Sequence, residues 1–338
     1  MQHIPNLIRI FSLSSFAFIV SMILTPVMTY FMFKYKFWKK PQKYSAVDRE
    51  RTPVYYKLHA AKHKRLLPTG AGILIILVVF IITYLFNLSR SQTWLPLFAL
   101  VSIGLLGFLN DYLNVRGIGK FFGVSAKSKL MIMILIALLG ALWFYYKLEW
   151  NYIHVPGVGD LTIGAWYIPF FVLVIISSTN AVNITDGLDG LSGGLLALSF
   201  GAFAGIALIR GQIGIAAFCG TIMGALLAYL WFNIYPARFI MGDTGSLSLG
   251  ATLGVIAMLT NSSLVLPIIG FVFVMEVLSD IIQIFSKKVF KRKVFLCAPL
   301  HHHFEAIGWP ETKVTMRFWV IGAVTASIGL ILGIIGRG

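Results

Sequence analysis

Residues 246–260 read SLSLGATLGVIAMLT, and whether this stretch crosses a membrane decides the fold. A bilayer span takes about twenty mostly apolar residues, and this is the weakest of ten such runs. The others centre on 10–32, 70–88, 93–110, 129–147, 163–181, 190–209, 213–232, 263–285 and 315–335. Counting it places both termini on one side of the membrane; a rival with nine or eleven spans places them on opposite sides. Charge arbitrates, because Lys and Arg accumulate in short cytoplasmic loops while Asp and Glu contribute little to topology. With ten spans, 23 of the 28 basic residues share one side: eleven between Lys34 and Arg65, four between Arg116 and Lys129, Arg238, and seven between Lys287 and Arg317. The remaining five, Arg9, Arg90, Lys147, Arg210 and Arg337, all fall at opposite ends. The expectation is an all-α, polytopic membrane protein with ten transmembrane helices, both termini outside the cytoplasm, and one integral membrane domain over residues 1–338.

Composition agrees. Of 338 residues, 58% are hydrophobic and 12% charged, against about 25% charged in soluble domains. The net charge of +16 is mostly this topology signal plus attraction to anionic lipid, which argues against a nucleic-acid partner. Two cysteines, Cys219 and Cys297, exclude a disulfide framework and lack metal-ligand spacing. No Walker A or dinucleotide fingerprint occurs.

The acids carry the functional signal. Asp111, Asp186, Asp189 and Asp243 lie at the cytoplasmic ends of the third, fifth and seventh spans, so carboxylates far apart in sequence share one depth. A channel or carrier tends to place ionisable groups near the midplane, whereas these line a surface reached from the cytoplasm. Their mutual repulsion calls for a cation or a basic side chain among them.

Four stretches supply the chemistry. In STNAVNITDGLDGLSGG, residues 178–194, Asn180, Asn183 and Asp186 recur every three residues and Asp189 extends the series. One helix cap needs one such residue, and the glycines let backbone approach a ligand closely. In WFNIYPARFIMGDTGSLSLG, residues 231–250, Asp243 sits between glycines before a helix start. Backbone N–H groups there suit phosphate oxygens, and the carboxylate suits a hard cation. In CAPLHHHFEAIGWPE, residues 297–311, His301, His302 and His303 are consecutive. Adjacent side chains diverge too far for all three to ligate one zinc, so hydrogen bonding to phosphate or sugar is the better expectation. In HKRLLPTGAGILI, residues 63–75, Lys64 and Thr69 precede the second span. Together these groups fit phosphoryl transfer on a lipid, with magnesium neutralising a diphosphate and a lysine steadying charge.

NAVNITDGLDGL, NIYPARFIMGDTGSLSLG and PLHHHFE resemble the signature segments of the polyprenyl-phosphate N-acetylhexosamine-1-phosphate transferases. The resemblance extends over nearly the whole chain. It implies a cytoplasmic active-site cleft in a bacterial inner membrane and a homodimer. It also implies transfer of phospho-MurNAc-pentapeptide from UDP-MurNAc-pentapeptide to undecaprenyl phosphate with Mg2+, giving lipid I and UMP for peptidoglycan synthesis. It assigns Asp243 as the magnesium ligand, and Asp111, Asp186, Asp243 and Lys129 as the catalytic set. Lys64, Thr69, Asn180, Asn183, Asp189, Asn233, His301, His302 and His303 become substrate contacts. The chain departs from the family where Asn110 replaces a usual aspartate, Asn114 a lysine and Ile240 a phenylalanine. Three other readings stay open: a sibling transferase using another UDP-sugar, an inactive relative, and a transporter of lipid-linked substrate.

Overall fold

The computed structural model describes residues 3–38, 66–118 and 123–335. It is a helical bundle in which a helix falls on each of the ten apolar runs. In chain order these are α1 (His3–Lys34), α2 (Gly72–Phe86), α3 (Trp94–Arg116), α4 (Ala126–Lys147), α5 (Tyr167–Thr185), α6 (Leu191–Ile209), α7 (Ile213–Asn233) and α8 (Gly242–Leu259). There follow a short α9 (Leu266–Ile269), α10 (Phe271–Val289), a short α11 (Leu300–Ala306) and α12 (Glu311–Ile334). Among the described residues, seven helices are long and apolar enough to cross a membrane: α1, α3, α4, α5, α6, α7 and α12, and α2 is a shorter apolar helix.

The weak run turns out to be the centre of the molecule. All 18 residues of α8 are buried, and α3, α5, α2 and α6 pack around it. Its low hydropathy has a physical reason: a helix enclosed by protein needs close approach more than greasy side chains, as small residues do at membrane helix interfaces. A Cβ on Gly72 of α2 would overlap Gly245 of α8, and one on Gly107 of α3 would overlap the Asp243 carbonyl. The hydroxyls of Ser246, Ser248 and Thr252 cost little because they bond back to the helix itself, Ser246 Oγ to the Gly242 carbonyl at 2.8 Å and Thr252 Oγ1 to the Ser248 carbonyl at 2.7 Å. By contrast α10 carries Glu276, Asp280, Lys287 and Lys288 among its 19 residues, which keeps it outside the purely apolar class.

Capping explains where the helices stop. Ser125 accepts the Ser128 N–H at 3.1 Å and starts α4. Gly117, at φ 69°, ends α3 in the left-handed conformation.

The all-α expectation needs one correction. Between α4 and α5 a two-stranded antiparallel hairpin pairs β1 (Tyr152–Val155) with β2 (Gly159–Thr162), Val155 opposite Gly159. His154 ties it down, its N–H donating to Asn261 Oδ1 at 3.0 Å and its Nδ1 lying 2.7 Å from Asp160 Oδ1. The alternation in YIHV before a glycine-flanked turn is an ordinary hairpin signal, hidden in a chain dominated by helical periods.

Candidate active site

The carboxyl ends of α3 and α5 and the amino ends of α4 and α8 meet at one end of the bundle, and Asp243, in the first turn of α8, lies at their centre. Lys129 Nζ, on the first turn of α4, is 2.9 Å from Asp243 Oδ2. Asn110 Nδ2, from α3, donates to the same oxygen at 2.7 Å. Asn183 Nδ2, from α5, donates to Asp243 Oδ1 at 3.3 Å and to Ser246 Oγ at 2.8 Å. The Lys129 and Asp243 side chains are 20% and 11% exposed, so the pair is enclosed yet open at its edge. Asn110 also accepts the Val124 N–H at 2.8 Å, which joins Asp243 to the turn that starts α4.

Asp111 has a different place. It is fully buried and caps α8 from across the bundle. Its Oδ1 accepts the Asp243 N–H at 3.2 Å, and its Oδ2 accepts the Thr244 N–H at 2.9 Å and Thr244 Oγ1 at 2.7 Å. A carboxylate at a helix amino terminus satisfies orphan donors and meets the positive end of the helix dipole. Gly242, at φ 73°, permits the approach, since a Cβ there would stand 2.5 Å from Asp111 Oδ2. Thr69, also buried, packs beneath Gly242, with its N–H on the Phe37 carbonyl at 2.8 Å. Lys64 lies outside the described residues.

The remaining acids of the set are held apart, each by a partner of its own. Asp186 accepts from Ser192 Oγ at 2.5 Å. Asp189 is buried, its Oδ2 accepting the Ala237 N–H at 3.0 Å while its own N–H donates to Glu311 Oε1 at 2.6 Å. Asn233, also buried, bridges the same two loops, accepting the Gly190 N–H at 2.9 Å and donating to the Phe239 carbonyl at 2.8 Å. Asn180 turns back on its own helix, donating to the Ile176 carbonyl at 2.8 Å. Among the described residues no three His, Cys, Asp or Glu side chains gather as a metal cage.

The histidines divide. His301 is fully buried, with Nδ1 2.9 Å from Glu276 Oε2 and its N–H donating to Glu276 Oε1 at 3.2 Å. Its Nε2 faces Gly187, where a Cβ would overlap it. His302 Nδ1 lies 2.8 Å from Glu305 Oε2. His303 accepts the Leu296 N–H at 3.3 Å and packs edge-on against Phe295.

Sequence reasoning passed over Thr244, Ser192, Ser246 and Glu311, which hold these groups in place. Glu311 is readable as the first residue of the helix that starts after Pro310, but nothing in the sequence brings it to Asp189. The amide of Asn110 is legible only as a departure from a pattern.

Residues 93–261, which include α3, α4 and α8, match the family described as glycosyl transferase family 4. A phospho-N-acetylmuramoyl-pentapeptide-transferase of Chloroflexus aggregans is 44% identical over 283 residues, covering 79% of this chain and 77% of the relative. Proteins of the same name from Geobacillus sp. (strain WCH70) and Rickettsia prowazekii are 38% and 37% identical, covering 93% and 97% of this chain and 94% and 95% of the relatives. The chain belongs to glycosyl transferase family 4 and, within it, to the phospho-N-acetylmuramoyl-pentapeptide-transferases.

Proposed function

We propose that this protein transfers phospho-MurNAc-pentapeptide from its UDP carrier to undecaprenyl phosphate, releasing UMP and forming lipid I on the cytoplasmic face of a bacterial inner membrane. The reading takes all ten helical runs as spans, with both termini outside the cytoplasm, and takes the working form as a homodimer. The observation that carries it is the Lys129–Asp243 pair at the amino end of α8, flanked by Asn110 and Asn183. An ammonium, two amides and a helix amino terminus form a donor set suited to diphosphate oxygens.

Magnesium fits the residues present. This ion commonly binds through one or two carboxylates, with waters and substrate phosphates completing its shell, and Asp243 is the carboxylate placed for that. When bound, the ion neutralises charge developing on the transferred phosphoryl group. The chain's own residues then do the positioning. Lys129 steadies phosphate charge, Asn183, itself held by Ser246, orients the Asp243 carboxylate, and Asp111 fixes the first turn of α8 beneath it.

Direct attack of the lipid phosphate on the sugar-linked phosphorus is favoured over an aspartyl-phosphate intermediate. A phosphate monoester has a second pKa near 6, so at neutral pH it is mostly a dianion and gains little from a general base. Asp243 Oδ2 already accepts two hydrogen bonds, at 2.7 and 2.9 Å, which makes it a poor nucleophile. The test is UMP release by purified protein offered UDP-MurNAc-pentapeptide beside UDP-GlcNAc, with Asp243→Asn alongside. Magnesium-dependent release from the first donor, abolished in the variant, is expected. Preference for UDP-GlcNAc sinks the substrate assignment, and a near-normal rate in the variant sinks the metal assignment.

A further inference from the structure

At the end of the bundle opposite Asp243, α3 and α4 part to leave a groove of about 570 Å3 lined by Arg90, Trp94, Phe98, Leu139, Gly140 and Trp143. That volume falls within the roughly 300–1,000 Å3 of ordinary small-molecule sites. Its walls are apolar, and Gly140 in its floor lets α4 pack closely on Phe171, whose ring would stand 3.2 Å from a Cβ there.

Arg90 is the group without an explanation. Arg9, in the same end layer, donates to Asn87 Oδ1 at 2.9 Å, and Arg210 to the Gly333 carbonyl at 2.6 Å. Arg90 is exposed and makes no hydrogen bond or ion pair with any described residue. The planar guanidinium fork suits bidentate contact with anions such as phosphate. Trp94 and Trp143 flank it at 54% and 39% exposure, the residue type that settles at membrane interfaces. An apolar slot along two apolar helices, a cation at its mouth and indoles at headgroup level complement a single kind of molecule.

We propose that this groove is a binding site for an anionic phospholipid of the leaflet opposite the Asp243 site, its phosphate on Arg90 and one acyl chain between α3 and α4. The site is separate from the transferase chemistry and stands whatever sugar donor that chemistry uses. One cation beside an anionic headgroup favours that lipid about fivefold over a zwitterionic one, so retention depends measurably on this one residue.

The test uses the full-length protein in mixed micelles containing equal dioleoyl phosphatidylglycerol and dioleoyl phosphatidylcholine, with retained lipid counted by native mass spectrometry. The parent retains phosphatidylglycerol at least fivefold over phosphatidylcholine. Arg90→Gln loses that preference and Arg90→Lys keeps most of it. Lys147→Gln, which removes an exposed lysine from the same end, leaves it unchanged. Phosphatidylglycerol brominated along its chain quenches tryptophan fluorescence in the parent, and less in Trp143→Phe. Equal retention of both lipids by the parent, or equal loss in the Arg90 and Lys147 variants, overturns the proposal. Quenching unaffected by Trp143→Phe places the lipid elsewhere and overturns it as well.

Discussion

Asp111→Asn separates two roles that a buried acid beside an active site could have. If Asp111 took part in the chemistry, the amide would stop turnover and leave the fold intact. The structure instead gives it three hydrogen bonds at the start of α8, two of them from backbone N–H groups. Bonds to a charged group contribute about 1.5–3 kcal/mol each, and a carboxylate at a helix amino terminus adds up to about 2 kcal/mol in a buried setting. These are not additive. An asparagine keeps one acceptor oxygen, best used on Thr244, where two donors converge; its amide group then faces the Asp243 N–H, donor against donor. The expected cost is about 2–3 kcal/mol for Asn and about 4–5 kcal/mol for Ala, which leaves both buried N–H groups without an acceptor. Thermal unfolding in detergent, run beside UMP release, reads both quantities. Lower unfolding midpoints in the order parent, Asn, Ala, with turnover falling in step, are expected. An unchanged midpoint with abolished turnover in Asp111→Asn would refute the capping role and return Asp111 to the chemistry.

The other expectations follow from neighbouring contacts. Asn110→Asp replaces a donor 2.7 Å from Asp243 Oδ2 with a second carboxylate, a repulsion of about 6 kcal/mol at an effective dielectric of 20 before Lys129 offsets it. The unfolding midpoint should drop without magnesium and recover steeply with it, and a midpoint equally indifferent to the ion in both proteins would contradict this. Gly187→Ala pushes a Cβ into His301 Nε2, so it should destabilise the α10–α11 corner by about 1–3 kcal/mol, partly rescued by His301→Ala; no rescue in the double variant argues that the two do not touch. Burial pushes the Cys297 thiol above its usual pKa, with Lys293 pulling it back down and Asp280 and Glu305 pushing it up. Since the thiolate is the reactive form, alkylation of Cys297 should be slow at pH 7 and climb only above the ordinary thiol range, more slowly still in Lys293→Gln. Rapid labelling at neutral pH would show that the loop is open.

Much of the molecule could be read in one dimension. Hydrophobic length is a local property, so the ten helical runs need no knowledge of packing. The motif residues were also visible, because amides and acids at intervals of three within an apolar chain have no cheap structural explanation. What each one does was not. Asp111 and Asp243 look alike as acids at span ends, yet one is sealed under a helix terminus and the other faces Lys129. Asp189 and Asn233 read as ligand contacts in the sequence, and only the structure shows that they also tie together the loops at 186–190 and 234–239.

Residues 246–260 mark the same boundary. Their sequence alone determined a helix with small and hydroxyl-bearing residues and an apolar character too faint to settle whether it spans a membrane. Tertiary structure decided that this helix is the axis of the bundle, because close approach by α2 and α3 requires glycine at the contacts and each hydroxyl returns its hydrogen bond to the helix. Hydropathy measures transfer from water to lipid. A helix that touches neither is governed by packing and hydrogen bonding, and those depend on partners as distant in sequence as Gly72 is from Gly245.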